Sequence, residues 1–500
     1  MLMTCQTAEG SKTGFSLLPP ELVVEVFKRL HWRDLLKARS TCSVFYSISK
    51  SRDIWENLIR IHAAAMHGPP TTLEKPMRMY TAGKLEEHFL RGAKNESEWL
   101  DEVRFEERSI PSPHRLRHCH LLRGGRWFLC SAVGGEMLYC DLESPGSGLV
   151  PLIPYPFPHP CDSITSMAIE EDNEAEILCF KIALVHILEE DWLYRSSGET
   201  AVTGDSRADV WFGKVVLDED GNATHLHAEK LASVPLPVYL GKPILGASLR
   251  GSLVAFTVEW KSLDGFGMQC DAIILDWKAP PRTKNQPCIR KTVHYSITWA
   301  QPAVKTDVIL LPGDHLLTVV QSMIRIYDHS LVPWASERRH KREVLSLSEQ
   351  CAHAINIPKS FCGVPRDFSP IFSLSGDRYR VVFNSLSGIR GLTLQYRDGG
   401  VFKATLVDLL EWPKAMDVFI EDRQSHFSYN YGVTLGSYDS LFRSHFTWPD
   451  EEGSSPSRLS VMVGNLSRLP VVMNMDVSTG RVLWISKHGE LKEASFTAPS

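Results

Sequence analysis

The sequence predicts an α+β multidomain protein with a small three-helix N-terminal module, a helical linker, and an all-β propeller, in which seven blades are favoured and six or eight are possible. Apolar side chains in the first sixty or so residues follow the spacing of helices. After Pro113 the pattern changes to the alternation of strands. A strand-rich unit of about sixty residues then recurs through the rest of the chain, as in repeat architectures.

The helical module is predicted over residues 15–60, after an N-terminal segment, residues 1–14, that we expect to be disordered. Leu22, Val26 and Leu30 lie at i, i+4 and i+8, which places them on one face of a first helix. The same spacing continues through a second and a third helix and into the start of a fourth. Short turns of polar residues separate these helices.

This module has more apolar residues than a core of its size needs. Three helices in about forty residues fall near the lower limit for a self-sufficient hydrophobic core. Each buried Leu, Val or Phe contributes roughly 1.5–3 kcal/mol, so exposing the whole stripe to water would forfeit a large stabilisation. Periodicity leaves two explanations open: the stripe binds a partner protein, or it packs on the rest of the chain.

A family resemblance favours the partner. The order Leu18-Pro19, Glu21-Leu22, a Phe-containing helix, Asp34-Leu35-Leu36, Cys42 before Phe45, and a closing Trp55 resembles an F-box along its full length. That resemblance implies a trihelical module that binds the Skp-type adaptor of a ubiquitin ligase and, through the adaptor, a cullin. The residues it implies for adaptor binding are Leu18, Pro19, Leu22, Val26, Phe27, Leu30, Leu35, Leu36, Phe45 and Trp55.

Beyond the module we predict a helical linker over residues 61–113, a propeller over residues 114–490 and a C-terminal tail over residues 491–500. Pro111 and Pro113 mark the boundary, since proline removes an amide donor and blocks continuation of a helix. A chain beginning near Pro111 is accordingly expected to fold without the helical module.

The repeated unit is recognised by a Leu-x-Gly turn between two alternating apolar segments. The clear copies are centred on Leu122, Leu249, Leu311 and Leu374. Their spacing leaves room for one weaker copy after Leu122, and further strand pairs follow Tyr431. Four-stranded units of this length favour a β-propeller, because each blade buries its faces only against its neighbours. The pattern resembles the divergent WD-like propellers that follow F-boxes in fungal proteins.

Composition and charge exclude several kinds of partner. Of 500 residues, 43% are hydrophobic, and 54 Lys and Arg against 59 Asp and Glu give a formal net charge of -5. Proteins that bind the phosphate backbone of nucleic acids normally carry a basic excess, so we expect no nucleic-acid partner. The 11 cysteines include no CxxC pair, the N-terminus lacks the build of a signal peptide, and no apolar run approaches ~18 residues. We therefore expect reduced thiols, no membrane partner and a cytoplasmic or nuclear location.

Four other segments have a possible function, and for each of them a structural role is favoured. They are a metal-like cluster of His114, His118, Cys119 and His120; a calcium-like run of Glu170, Glu171, Asp172, Glu174 and Glu176; a basic run, Arg338–Arg342; and a proline-rich stretch, Pro145–Pro160. None has the ligand spacing of a known metal site. No catalytic motif is present, so we expect neither catalytic residues nor a cofactor.

Together these features predict a substrate-receptor subunit of a Skp/cullin/F-box ubiquitin ligase. The F-box would bind the adaptor and the propeller would capture a target protein, which the sequence does not identify. Two alternatives stay open: a scaffold that uses the F-box outside any ligase, and a propeller enzyme whose turnover the F-box controls. The first differs in lacking a cullin, and the second in having titratable side chains that converge in a deep channel.

Overall fold

The structure is a computed structural model. It describes residues 18–65, 73–100, 105–112, 114–144, 146, 148–157, 163–188, 206–236, 242–261, 267–279, 289–298, 308–320, 323–331, 351–356, 367–374, 377–385, 387–396, 402–413, 424–435, 440–451, 456–463, 470–486 and 488–496. The predicted N-terminal segment 1–14 lies outside the described residues.

Five α-helices precede the strands. They are α1 (Pro20–Phe27), α2 (Trp32–Arg39), α3 (Ser43–Ser49), α4 (Arg52–Ala65) and α5 (Ala82–Ser97). Pro20 occupies the first turn of α1, where an amide hydrogen has no intrahelical partner. The Cys42 thiol accepts a hydrogen bond from Phe45 N and caps α3, and Thr81 Oγ1 accepts one from Lys84 N and caps α5. Local sequence therefore sets most of the helix starts.

The strands form seven four-stranded antiparallel sheets, each built as one blade. Blade 1 contains β2 (Leu116–Leu121), β3 (Trp127–Ala132), β4 (Met137–Asp141) and β5 (Val150–Ile153). Blade 2 contains β6 (Ser163–Glu171), β7 (Cys179–Leu188), β8 (Arg207–Leu217) and β9 (Ala223–Pro235). Blade 3 contains β10 (Lys242–Arg250), β11 (Leu253–Lys261), β12 (Gly267–Asp276) and β13 (Ile289–Thr298).

The remaining four blades follow in the same order around the ring. Blade 4 contains β14 (Val308–Leu311), β15 (His315–Val320), β16 (Met323–Asp328) and β17 (Cys351–Asn356). Blade 5 contains β18 (Phe372–Leu374), β19 (Arg378–Ser385), β20 (Gly388–Tyr396) and β21 (Phe402–Glu411). Blade 6 contains β22 (Ser425–Phe427), β23 (Tyr431–Leu435), β24 (Ser440–His445) and β25 (Arg458–Val463). Blade 7 contains β26 (Pro470–Asp476), β27 (Arg481–Ser486), β28 (Leu491–Phe496) and, as its outermost strand, β1 (Phe105–Ile110).

The predicted propeller and its preferred count of seven blades are confirmed. Each Leu-x-Gly position follows or ends the innermost strand of its blade, and the weaker copy predicted after Leu122 is blade 2. Gly124, Gly251 and Gly313 adopt φ values of 87°, 59° and 66° in these turns. Glycine recurs there because the left-handed backbone conformation is costly for residues with a Cβ atom.

Two of the predicted domain boundaries need correction. Strand β1 lies within the segment predicted as linker, residues 61–113, and pairs along its whole length with β28, from Phe105 opposite Phe496 to Ile110 opposite Leu491. Strand β28 in turn lies within the predicted tail, residues 491–500. Both ends of the propeller therefore meet in blade 7, and a chain beginning near Pro111 would lack one of its strands.

The ring has two distinct faces. Because the strands of each blade are antiparallel, the turns that join strands one and two and strands three and four all lie at the same face. Residues 73–99 contact these turns, so we call this side the linker face. The connections between blades and the turns that join strands two and three lie at the opposite face. Blades pack on one another through apolar side chains, as where Val185 and Val210 of blade 2 meet Phe256 of blade 3.

Candidate functional site

Helix α1 and the two residues before it carry a stripe of apolar side chains that are exposed to solvent. Leu18, Leu22 and Val26 are 38%, 51% and 41% exposed, and Pro19 beside them is exposed as well. Leu22 and Val26, four residues apart, lie on one side of the helix, and Leu18 directly precedes the N-cap residue Pro19. Exposed apolar groups that form a patch of this kind typically mark a surface that binds another protein.

The other side of α1 packs into the core of the helical module. Val23 and Phe27 are buried there together with Leu35 and Trp55, and the Trp55 indole donates to Ser49 O at 2.9 Å. This corrects the prediction for Phe27, Leu35 and Trp55, which cannot touch a partner while the module is folded. Their role is to hold α1 and α2 in place.

The other predicted residues are intermediate in exposure between the exposed stripe and the buried group. Leu30, Leu36 and Phe45 are half-buried, so each presents only part of its side chain to solvent, and Leu30 and Phe45 pack on the core. Two exposed residues on α3 were missed by the sequence prediction: Val44 and Tyr46, at 56% and 53% exposed. Their neighbours Phe45 and Ile48 pack on the core, and the short helix gave too few turns for its two sides to be told apart from the sequence.

Helix α5 lies beyond the predicted module in sequence but supplies part of the module's hydrophobic core. Leu85, Phe89 and Ala93, spaced by four residues, pack against the same cluster as Trp55. An ion cluster joins the same surfaces: Glu86 lies 2.6 Å from Arg39 Nη1 and 2.9 Å from Lys50 Nζ. Burial alone would raise the pKa of Glu86, but hydrogen bonds from these two cations outweigh it and lower the pKa below its usual value.

His62 and Glu96 form a second link between α4 and α5. The imidazole Nε2 lies 3.0 Å from Glu96 Oε2, and the ring meets Phe89 edge to face. The hydrogen bond to Glu96 raises the pKa of His62, although burial opposes it. Protonated His62 is therefore stabilised in the folded protein.

This pair should make the free energy of unfolding depend on pH near neutrality. The imidazole titrates near 6.5 when unperturbed and at a higher value in the fold. Its stabilisation is complete below the unfolded pKa and is lost as pH rises through the folded pKa. We expect the denaturation midpoint of the wild type to fall relative to that of His62→Gln as the pH rises above 6.5 and through the raised folded pKa. A difference between the two proteins that stays constant with pH would contradict this expectation.

The predicted metal-like cluster is dispersed by the fold. The His118 ring lies 2.8 Å from Thr165 O, whereas His120 lies 3.1 Å from Glu171 Oε1. The Cys119 thiol is buried, and His114 is near Glu136. Within the described part of the chain, no three or more His, Cys, Asp or Glu side chains are grouped so that they could hold a metal ion.

Four carboxylates of the acidic run of blade 2 have partners within the protein. Glu170 binds Lys181 and the amide of Gly251, while Glu171 binds His120 and Arg123. In the turn that follows, Asp172 accepts hydrogen bonds from two amides, and Glu176 pairs with Arg78 of the linker. These carboxylates stabilise the linker face and the contact between blades.

The other two segments are described only in part or not at all. Within the proline-rich stretch, which we expected to be an extended crossing between blades, Val150–Ile153 form β5, the outermost strand of blade 1, and residues 154–157 follow without regular secondary structure. Residues 158–160 and the basic run Arg338–Arg342 lie outside the described residues. No helix among the described residues has the length and apolar character needed to span a membrane.

A known protein family matches the helical module. Residues 15–61 match the F-box-like family and form an F-box-like domain. The chain therefore combines an F-box-like domain with a seven-bladed β-propeller, two kinds of module that typically mediate protein interactions. The comparison with curated proteins gives no significant match.

Several solved structures are similar to the propeller. The β-propeller domain of Cps50 (Swd1) from Myceliophteria thermophila has 13% identity over 78% of this chain and 100% of its own, with a TM-score of 0.43. The WD40 repeats of RRP9 have 10% identity over 79% of this chain and 100% of their own, with a TM-score of 0.40. U3-55K has 9% identity over 78% of this chain and 98% of its own, with a TM-score of 0.39.

Proposed function

We propose that this protein is the substrate-receptor subunit of a Skp/cullin/F-box ubiquitin ligase. The observation that carries the proposal is the exposed stripe of Leu18, Leu22 and Val26 on an F-box-like domain. A Skp-type adaptor would cover this stripe and connect the chain to a cullin. The protein itself would supply no catalytic group, and its contribution would be to hold a target close to the ubiquitin-transfer machinery.

The opposite face of the propeller is the surface we assign to the target. The helical linker contacts the linker face through turns of blades 1, 2 and 7, among them Glu143, Gly221 and Ser478. A large target would meet that linker on approach from the same side. On the opposite face, Val133 is exposed at 43%, and the exposed Arg115 lies beside it, accepting a hydrogen bond from Val133 N. Rigid rims formed by loops of several blades are common ligand sites.

Quantitative affinity purification under proteasome inhibition tests this division of roles. Wild-type chain should recover the adaptor, a cullin and one or more enriched target proteins. Leu22→Asp should lose the adaptor and cullin but keep the targets, whereas Val133→Asp combined with Arg115→Glu should keep the adaptor and lose targets. Separate surfaces of this kind normally behave independently. Recovery of adaptor without any cullin would favour the ligase-independent scaffold.

The proposed role also locates the protein in the cytoplasm, the nucleus or both. Fluorescence microscopy of the tagged chain checks this assignment. The expected signal coincides with that of the adaptor, and it should lose that coincidence in Leu22→Asp. A signal confined to a membrane-bounded secretory compartment would contradict the proposal.

A further inference from the structure

We propose that residues 73–99 act as a clasp that holds the ring of blades closed from outside. The clasp bridges four consecutive blades, 6, 7, 1 and 2, and blade 7 lies among them. This inference rests on contacts of the linker with the propeller and does not depend on the proposed ligase function.

Blade 7 is where the ring needs such support. Its strands β26, β27 and β28 come from the C-terminal end of the propeller, whereas β1 comes from the N-terminal end. Only non-covalent contacts hold β1 against β28: backbone hydrogen bonds, side-chain packing and the ion pair between Arg108 and Glu493. Separation of these two strands would open the ring without breaking any covalent connection between blades.

Helix α5 and the residue after its cap contact three blades in order, at intervals of four residues. Arg91 Nη1 lies 3.3 Å from Glu143 Oε1 of blade 1. Asn95 Nδ2 donates to Ser478 O of blade 7 at 3.0 Å, and Trp99 Nε1 donates to Ser444 O of blade 6 at 3.2 Å. Because four residues advance about one helical turn, successive turns along one side of the helix meet successive blades.

The deepest of these contacts is Trp99. Its ring is 2% exposed and sits in an apolar cluster drawn from two blades, including Val433 and Leu441 of blade 6 and Met475 and Trp484 of blade 7. A side chain supplied by the linker therefore fills the space between these two blades. Its removal would leave a cavity that the neighbouring strands cannot fill completely.

The first part of the clasp holds the other end of the bridge. Glu74 O accepts a hydrogen bond from Leu178 N of blade 2 at 3.0 Å, and Lys75 Nζ donates to Gly221 O of the same blade. The Glu74 carboxylate lies 3.1 Å from Arg126 Nη1 of blade 1, which also pairs with Asp141. Blades 1 and 2 are thus joined to the same segment that reaches blades 6 and 7.

The opposite side of α5 belongs to the core of the F-box-like domain. Leu85, Phe89 and Ala93 pack there, whereas Arg91 and Asn95 point to the propeller. Helix α5 is therefore held on both sides: its apolar side packs on the F-box-like domain, and its polar side contacts the propeller. This arrangement also means that the clasp is anchored independently of the blades it bridges.

Hydrogen–deuterium exchange on the full chain tests the clasp. In Trp99→Ala we expect exchange to rise at least tenfold in β27 and β28, and also in β1 and β2 across the closure of the ring. Exchange in β15 and β16 of blade 4 should stay within about twofold of the wild type, because opening is local. The matched control is Trp448→Ala, which removes a fully buried Trp packed between blades 5 and 6. It should raise exchange in those blades and leave β1 unchanged.

Two results would overturn the proposal. In the first, Trp99→Ala raises exchange in α5 while β1, β2 and β28 keep their protection. The ring would then stay closed without help from the linker. In the second, exchange rises equally in all seven blades. Should Trp99→Ala not fold, the milder pair Arg91→Ala with Asn95→Ala is measured instead. It should raise exchange about threefold in β1 and β28 and not in blade 4, and an unchanged β1 would again contradict the clasp.

Discussion

Leu22→Asp is expected to weaken binding of the Skp-type adaptor by at least a hundredfold without unfolding the protein. The side chain is half exposed in the free chain, so the substitution removes nothing from the core. In the complex it would place an unpaired carboxylate in a dry apolar contact and lose the burial of a leucine, each costing on the order of 2 kcal/mol or more. Every 1.4 kcal/mol or so corresponds to a tenfold change in affinity.

Two control variants separate a lost contact from a lost fold. Leu231→Asp changes a leucine of similar exposure, 42%, on the outer strand β9 of blade 2 and should leave adaptor binding unchanged. Val23→Asp changes the residue next to Leu22, which is only 2% exposed, and should unfold the helical module. Titration calorimetry gives the affinities, and circular dichroism reports the fold. Equal affinity of Leu22→Asp and Leu231→Asp would contradict the assignment of the stripe.

A chain that begins at Pro111 is expected not to form a stable propeller, whereas one that begins at Glu98 should fold. The shorter chain lacks β1, whose six residues all pair with β28, and it loses the buried Ile110 and Trp99. Each lost hydrogen bond costs about 1 kcal/mol and each buried side chain roughly 2 kcal/mol or more. The total is comparable with the whole stability of a typical domain, about 5–15 kcal/mol.

Thermal unfolding and size-exclusion chromatography check this comparison. The chain from Glu98 keeps Trp99 and β1 and should give a monomeric, mainly β protein with a cooperative transition, at a lower temperature than the full chain. The chain from Pro111 should aggregate or unfold without cooperativity, because the unpaired edge of β28 is also available to other molecules. Equal transitions for the two chains would mean that β1 contributes little to closing the ring.

Patterns that repeat, or that act within a few residues, could be predicted from the sequence. Apolar spacing located the helices, although α1 ends at Phe27 and not at the predicted Leu30. The Leu-x-Gly turns located the innermost strands of blades 1, 3, 4 and 5. In blades 1, 3 and 4 the turn has a glycine at positive φ, a conformation that favours the same residue in each copy. Blade 2 lacks this turn and was found only through the spacing of the others.

The sequence could not predict which half of an apolar segment is buried. Leu22 and Val23 are adjacent and equally apolar, yet one is exposed and the other lies in the core. The difference depends on α3 and α4, which pack on one side of α1 and come from later in the chain. A family pattern lists both kinds of residue together, because both are needed: one to bind the partner and the other to hold the helix.

Strand β1 was missed for a related reason. Its sequence, Phe-Glu-Glu-Arg-Ser-Ile, has a high share of charge and gives no clear alternation. Its charges are satisfied by partners almost four hundred residues away, as in the ion pair between Arg108 and Glu493. Local propensity carries no information about such pairing. The polar side of α5 is similar, since Arg91 and Asn95 acquire their partners only when the ring is formed.

Binding of a purified Skp-type adaptor to the purified full chain tests the central claim most directly. The account predicts a complex of one adaptor with one chain, measured by light scattering after size exclusion. It also predicts that Leu22→Asp abolishes this complex and that Leu231→Asp leaves it intact. A folded, monomeric wild-type chain that forms no complex, with an adaptor that binds an established F-box protein under the same conditions, would contradict it.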